Sequence, residues 1–209
     1  MNTLLIIDVQ NDFLPGGALE VPGSGAIVPI INRIGSGFDL VVAAQDWHPH
    51  GHGSFASSHP GRAPFERIDL HGLEQTLWPD HCVQGSRGAE FSAELDTRRV
   101  EAIFRKGMDP AIDSYSAFFD NGRRKATGLA DFLRGRGAKA LWLCGLAGDI
   151  CVHFSALDAL DEGFEVNFIA DAATPLDAAA EAAHLARLRE RGARIVTSGE
   201  LHPGSARHA

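Results

Sequence analysis

Three residues of different chemistry follow three separate apolar runs of this 209-residue chain: Asp8 after residues 4–7, Lys106 after 100–104 and Cys151 beyond 140–144. In an open parallel sheet, ligands collect outside the carboxyl ends of the strands, so an acid, a lysine and a cysteine at three strand ends make a nucleophilic site. Cys151 falls in the first turn of a predicted helix, where free N–H groups and the macrodipole favour a thiolate. Gly145 and Gly148 allow the tight backbone of an oxyanion hole. Asp8 suits a proton acceptor for the thiol and Lys106 a fixed positive charge between them. Taken singly, each has a plainer reading: a cysteine as a small core residue, an acid capping a loop, a lysine in solvent. Cys144, inside an apolar run, fits the plainer reading.

A second group is Asp46-Trp-His48 together with His81. Residues two apart in extended chain face the same way, so Asp46 and His48 can share one ion. One carboxylate and two imidazoles with open positions suit Zn²⁺, Mn²⁺ or Fe²⁺ completed by water. The same loop holds His50, His52, His59 and His71, so spacing alone does not select the ligands. Phe13, Trp47, Trp78 and Tyr115 fall near these segments and can wall an aromatic ligand.

The elements that must position these groups are short apolar runs at 4–7, 40–44, 100–104, 140–144, 166–170 and 194–196, read as strands buried on both faces. Helical patterns occupy 26–34, 127–134, 150–161 and 177–191, with Thr127 and Asp177 as N-caps and Gly135, Gly163 and Gly192 at helix ends. Strand–helix alternation predicts a three-layer α/β/α fold with a parallel sheet of about six strands. One domain is expected to span 1–209, with a long metal-binding loop region at 45–99 and a loose tail at 202–209. That loop region shows only a helical hint at 73–77. A net charge of −8 argues against a nucleic-acid partner. No run approaches the roughly 18 apolar residues of a membrane span. Three cysteines without short spacing suggest neither a disulfide framework nor a Cys-based zinc site, and the chain reads as cytoplasmic.

Six blocks then resemble one family. Asp8-Val-Gln-Asn-Asp-Phe13, Asp46-Trp-His-Pro49, Trp78-Pro-Asp-His-Cys-Val-Gln-Gly85, Lys106-Gly107, Asp113-Ser-Tyr-Ser-Ala-Phe118 and Gly145-Leu-Ala-Gly-Asp-Ile-Cys-Val152 are similar to those of bacterial nicotinamidases, members of the isochorismatase-like cysteine hydrolases. The likeness runs from about residue 4 to about residue 198. It implies a catalytic triad of Asp8, Lys106 and Cys151 and one divalent ion on Asp46, His48 and His81. That ion would be zinc in the first place, iron or manganese otherwise. It also implies a cis peptide between Leu146 and Ala147, and an oxyanion hole from the N–H groups of Ala147 and Cys151. Phe13 and Trp78 would sandwich a substrate ring, with Tyr115 beside them, and Ser54 would sit near the metal or its water. The implied reaction is hydrolysis of nicotinamide, and of pyrazinamide, in NAD salvage by a monomer or homodimer. The alternatives are another small carboxamide or carbamoyl substrate, or a non-catalytic binding protein on the same fold. Two positions depart from the family pattern: Gly148, where relatives commonly carry Thr, and Ile150, where they carry an aromatic or His.

Overall fold

The structure is a computed structural model and describes residues 1–201; the tail read at 202–209 lies outside them. Its sheet is built from β1 (Asn2–Ile7), β2 (Leu40–Asp46), β5 (Val100–Lys106), β6 (Ala140–Gly145), β7 (Glu165–Ala173) and β8 (Arg194–Val196). The order is β5-β2-β1-β6-β7-β8, every neighbouring pair is parallel, and all six predicted strands are present. The helices are α1 (Ile27–Ile34), α2 (Leu129–Gly135), α3 (Cys151–Asp161) and α4 (Glu181–Glu190). Among the described residues no helix is long and apolar enough to cross a membrane.

Strand alternation splits the core into two layers. Leu5, Ile7, Val42, Leu141 and Leu143 face Leu129 and Leu133 of α2, Val152 and Ala156 of α3, and Leu188 of α4. Leu4, Ile6, Val41 and Ala43 turn to the other side, against Val28, Ile31 and Ile34 of α1 and against Phe13, Trp78 and Leu95 from the loops. Apolar burial on both faces is why β1 and β2 read as unbroken hydrophobic runs. β5 corrects the reading of six doubly buried strands: at the sheet edge it alternates, and Ile103 is half exposed.

From β1 the chain moves outward to β2 and β5, then crosses back to β6 on the other side of β1 and moves outward again to β7 and β8. The order therefore reverses between β1 and β6, which opens a crevice at their carboxyl ends. Asp8 follows β1 and Cys151 opens α3 after β6, so the switch point separates them.

The 45–99 segment contains a hairpin that the sequence reading missed: β3 (Arg67–Leu70) and β4 (Leu73–Thr76) pair antiparallel, in place of a helical turn at 73–77. The turn residues His71 and Gly72 both take positive φ, 54° and 85°, which suits a two-residue hairpin turn. Helix ends shift slightly. Thr127 Oγ1 accepts from Leu129 N at 3.2 Å, although Gly128 is the N-cap. Asp177 closes a separate turn, accepting from Ala179 N at 2.9 Å, before α4 begins. Gly163 and Gly192 are left-handed after their helices as expected, whereas after α2 that role falls to Gly137.

Candidate active site

β1, β5 and α3 bring Asp8, Lys106 and Cys151 together. Lys106 Nζ lies 2.9 Å from Asp8 Oδ2 and 3.5 Å from Cys151 Sγ, and it donates to the Ser114 carbonyl at 3.0 Å. Asp8, Lys106 and Cys151 are 0%, 2% and 7% exposed. The Asp8–Lys106 contact is a buried ion pair, and the Cys151 thiol also bears on the Asp8 carboxylate.

Burial sets the proton affinities. Asp8 is raised to about 6, chiefly by desolvation; Lys106 opposes the rise and Asp46 adds to it. The Cys151 thiol is also pushed well up by desolvation, against Lys106 and with the help of Asp8 and Asp46. Desolvation thus opposes the thiolate that the helix N-terminus favours. Desolvation works to lower Lys106, but Asp46, Asp8 and Cys151 outweigh it and hold the amine well above its usual value. The site therefore rests as carboxylate, ammonium and thiol.

The second predicted group also converges. His48 Nε2 is 3.0 Å and His81 Nε2 3.4 Å from Asp46 Oδ2, and all three side chains are buried. The Nδ1–H of His48 donates to Gly107 O at 2.9 Å, and that of His81 donates to Pro79 O at 2.8 Å. With Nδ1 so engaged, both Nε2 lone pairs point at one carboxylate oxygen, a donor set made for a cation. Desolvation acts to depress His48, yet Asp46 outweighs it and raises the imidazole, so this spot favours positive charge. Gly107, at φ 66°, is required here: a Cβ would stand 2.4 Å from His48 Cε1 and 2.9 Å from Asp46 Oδ1. The residues present fit a divalent ion with open positions.

A cleft of about 380 Å³ lies over both groups. Phe13, Trp78, Tyr115 and Ala147 line it as expected, together with Asp46, His81, Lys106, Ile150 and Cys151. Trp78 and Tyr115 meet edge to face at 6.1 Å, and Phe13 tilts against the His81 ring at 5.4 Å. The Leu146–Ala147 peptide is cis, as the resemblance implied. Among the described residues, the backbone N–H groups of Ala147 and Cys151 donate to no protein acceptor, although Ala147 O accepts from Val152 N at 3.0 Å.

The Ser54 hydroxyl donates to His52 Nδ1 at 2.8 Å, and His52 Nε2–H donates to Asp109 O at 2.7 Å. His50, His59 and His71 stay outside the Asp46–His48–His81 cluster. Sequence reading missed Gln10, which holds the Asp46 backbone at both ends: Oε1 accepts from Asp46 N and Nε2 donates to Asp46 O, each at 2.8 Å. Its place two residues after Asp8 was the available signal. Cys82 and Cys144 are buried and free, with Cys144 Sγ 3.8 Å from Leu5 O.

With this geometry in place, comparison with known proteins is decisive. The Isochorismatase domain matches residues 2–200. The chain belongs to the isochorismatase family. Within it, the nicotinamidase of Escherichia coli K12 is 51% identical over 172 residues, 80% of each chain. The nicotinamidase of Acinetobacter baylyi is 47% identical over 174 residues, 83% of this chain and 81% of that one. Among solved structures of family members, a nicotinamidase/pyrazinamidase of Acinetobacter baumanii superposes with a TM-score of 0.94 at 40% identity, covering 96% of this chain and 98% of the other. PnC1 of L. infantum in complex with nicotinate gives 0.84 at 41% identity, covering 95% and 93%. The pyrazinamidase of Pyrococcus horikoshii in complex with zinc gives 0.77 at 36% identity, covering 94% and 98%.

Proposed function

We propose that this chain hydrolyses nicotinamide to nicotinate and ammonia, accepts pyrazinamide as well, and thereby serves NAD salvage. The observation that carries the reading is Lys106 Nζ poised between Asp8 Oδ2 and Cys151 Sγ, under an aromatic cleft that also reaches the Asp46–His81 pair. The names of the two bacterial relatives and the nicotinate complex of a structural neighbour support the substrate.

Asp8 accepts the Cys151 proton as sulfur attacks the carboxamide carbon, because a thiol raised by burial needs a base at the moment of attack. The Ala147 and Cys151 N–H groups take the developing oxyanion charge. Asp8 returns its proton to the leaving nitrogen, so the C–N bond breaks and ammonia departs, leaving a Cys151 thioester. Asp8 then takes a proton from water, which adds to the thioester carbon; the C–S bond breaks and Cys151 regains its proton. Lys106 holds the negative charge as it moves between carboxylate and sulfur.

Asp46, His48 and His81 would hold a divalent ion, which we propose to be zinc, as in the zinc complex of a structural neighbour. When bound, it supplies a Lewis-acid position for a ring nitrogen. Phe13, Trp78 and Tyr115 bury the ring faces and exclude bulk water. Three free cysteines suit a reducing compartment, which supports the cytoplasm. The test is stoichiometric formation of nicotinate and ammonia from nicotinamide by the purified, zinc-loaded protein. No product, with the fold intact, would overturn the reading.

A further inference from the structure

Leu176 lines the cleft beside Ile150 and Cys151, on the segment that leaves β7. Its position is fastened to the turn before α3. Gly148 N donates to Thr174 O at 2.7 Å, and Asp149 accepts from two successive backbone groups: Oδ1 from Leu176 N at 2.7 Å and Oδ2 from Asp177 N at 2.9 Å. An acid at this place would be expected to cap its own helix. Instead α3 has Ile150 at its N-cap with no side-chain bond, and the buried Asp149 carboxylate is committed to the neighbouring segment. Both carboxylate oxygens are matched to donors, so the strut is charge-assisted and geometrically fixed.

The turn and the segment are also in van der Waals contact. A Cβ on Gly148 would stand 3.0 Å from Ala173 O and 3.2 Å from Thr174 C, so a side chain here would ask the neighbouring backbone to give by a few tenths of an ångström.

We infer that Leu176 is a specificity-determining residue of the cleft and that Asp149 is the positioning residue that sets its distance from the nucleophile. This rests on the proposed carboxamide hydrolysis at Cys151. The turn that presents the Ala147 and Cys151 N–H groups also carries the Leu176 wall. A ring whose carboxamide reaches Sγ must therefore fit a gap held by one carboxylate. Ring substituents directed at Leu176 are excluded, while the unsubstituted ring passes.

The test compares nicotinamide with a set of ring-methylated nicotinamides in the zinc-loaded wild type, Leu176→Ala, Asp149→Asn and the double variant. Leu176→Ala is expected to raise kcat/KM for at least one methylated substrate relative to nicotinamide by about tenfold or more. Asp149→Asn keeps the shape but puts an amide N–H₂ where one acceptor stood. It is expected to shift the same ratio in the same direction, with a raised KM for nicotinamide. The double variant should move the ratio no further than Leu176→Ala alone, because the strut acts through that side chain. Unchanged ratios in both single variants, or an Asp149→Asn that slows every substrate equally, would overturn the inference. If Asp149→Asn does not fold, Leu176→Ala alone decides the specificity claim. Amide exchange at Leu176 and Asp177, expected to quicken in Asp149→Asn, reads the strut without turnover, so failure of the proposed reaction in the wild type is told apart from failure of the strut.

Discussion

Lys106 Nζ lies 3.1 Å from Asp46 Oδ1, so the carboxylate whose other oxygen faces His48 and His81 also borders the Asp8–Lys106–Cys151 group. One buried ammonium thus balances two buried carboxylates and stands beside the sulfur. Removing it leaves uncompensated charge on both sides. Lys106→Met is expected to abolish turnover and to destabilise the fold by about 3–5 kcal/mol. Lys106→Arg keeps the charge but replaces a compact ammonium by a planar fork, so activity should still fall by roughly a hundredfold or more. Denaturant melts together with ammonia-release rates check both; near-normal turnover in Lys106→Arg would reduce the residue to a generic counter-charge.

The acid limb of the pH profile reports Asp8. Burial raises that carboxyl from 3.8 to about 6, with Asp46 adding and Lys106 opposing. The base must be ionised to accept the thiol proton, so kcat/KM is expected to lose about a factor of ten per pH unit below that value. Asp8→Asn should remove activity at every pH. An acid limb centred near 4 in the wild type would show that Asp8 is not the essential base.

Most of the fold was legible because doubly buried strands leave short apolar runs, and the ends of those runs located Asp8, Lys106 and the turn before Cys151. The edge strand β5 was misread as doubly buried because Ala102, Ile103 and Phe104 follow Val100 as a mostly apolar run, with only Glu101 to mark the exposed face. The β3–β4 hairpin was hidden by Leu73 and Leu77, four apart and helical in spacing, while the informative signal was the His71-Gly72 turn. Asp46, His48 and His81 could not be singled out by spacing among the histidines of the loop. What sets them apart is that the Nε2 atoms of His48 and His81 meet at Asp46 Oδ2, a convergence of distant segments. The roles of Gln10 and Asp149 are contacts between distant segments, and such contacts leave no periodic trace.

Metal removal tests the second group. If the ion anchors a ring nitrogen, chelation, His48→Ala or His81→Ala should raise KM sharply and erase most of the preference for nicotinamide over benzamide, on the order of a hundredfold in kcat/KM. Equal turnover of benzamide and nicotinamide by the zinc-loaded protein would remove the anchoring role.

His153 offers a stability prediction. It is 1% exposed, neither ring nitrogen has a hydrogen-bond partner among the described residues, and the His184 ring stands 4.7 Å away. Desolvation, with His184 and Arg187, lowers it from 6.5 to about 4. The unfolded chain therefore binds the proton more readily, so stability is full above pH 6.5 and is lost as pH falls towards 4. His153→Leu is expected to add about 1–2 kcal/mol at neutral pH, by removing unpaired polar atoms, and to flatten that acid decline. Thermal melts across the range check it; a destabilised variant would mean the ring nitrogens are satisfied.

The most direct measurement is rapid acid quench of the zinc-loaded protein during nicotinamide turnover, followed by peptide mass spectrometry. A nicotinoyl group is expected on the peptide containing Cys151, with Cys144→Ala still active and Cys151→Ala folded but inert. Turnover in Cys151→Ala, or acylation found on Cys82 instead, would contradict the assignment of Cys151 as the nucleophile.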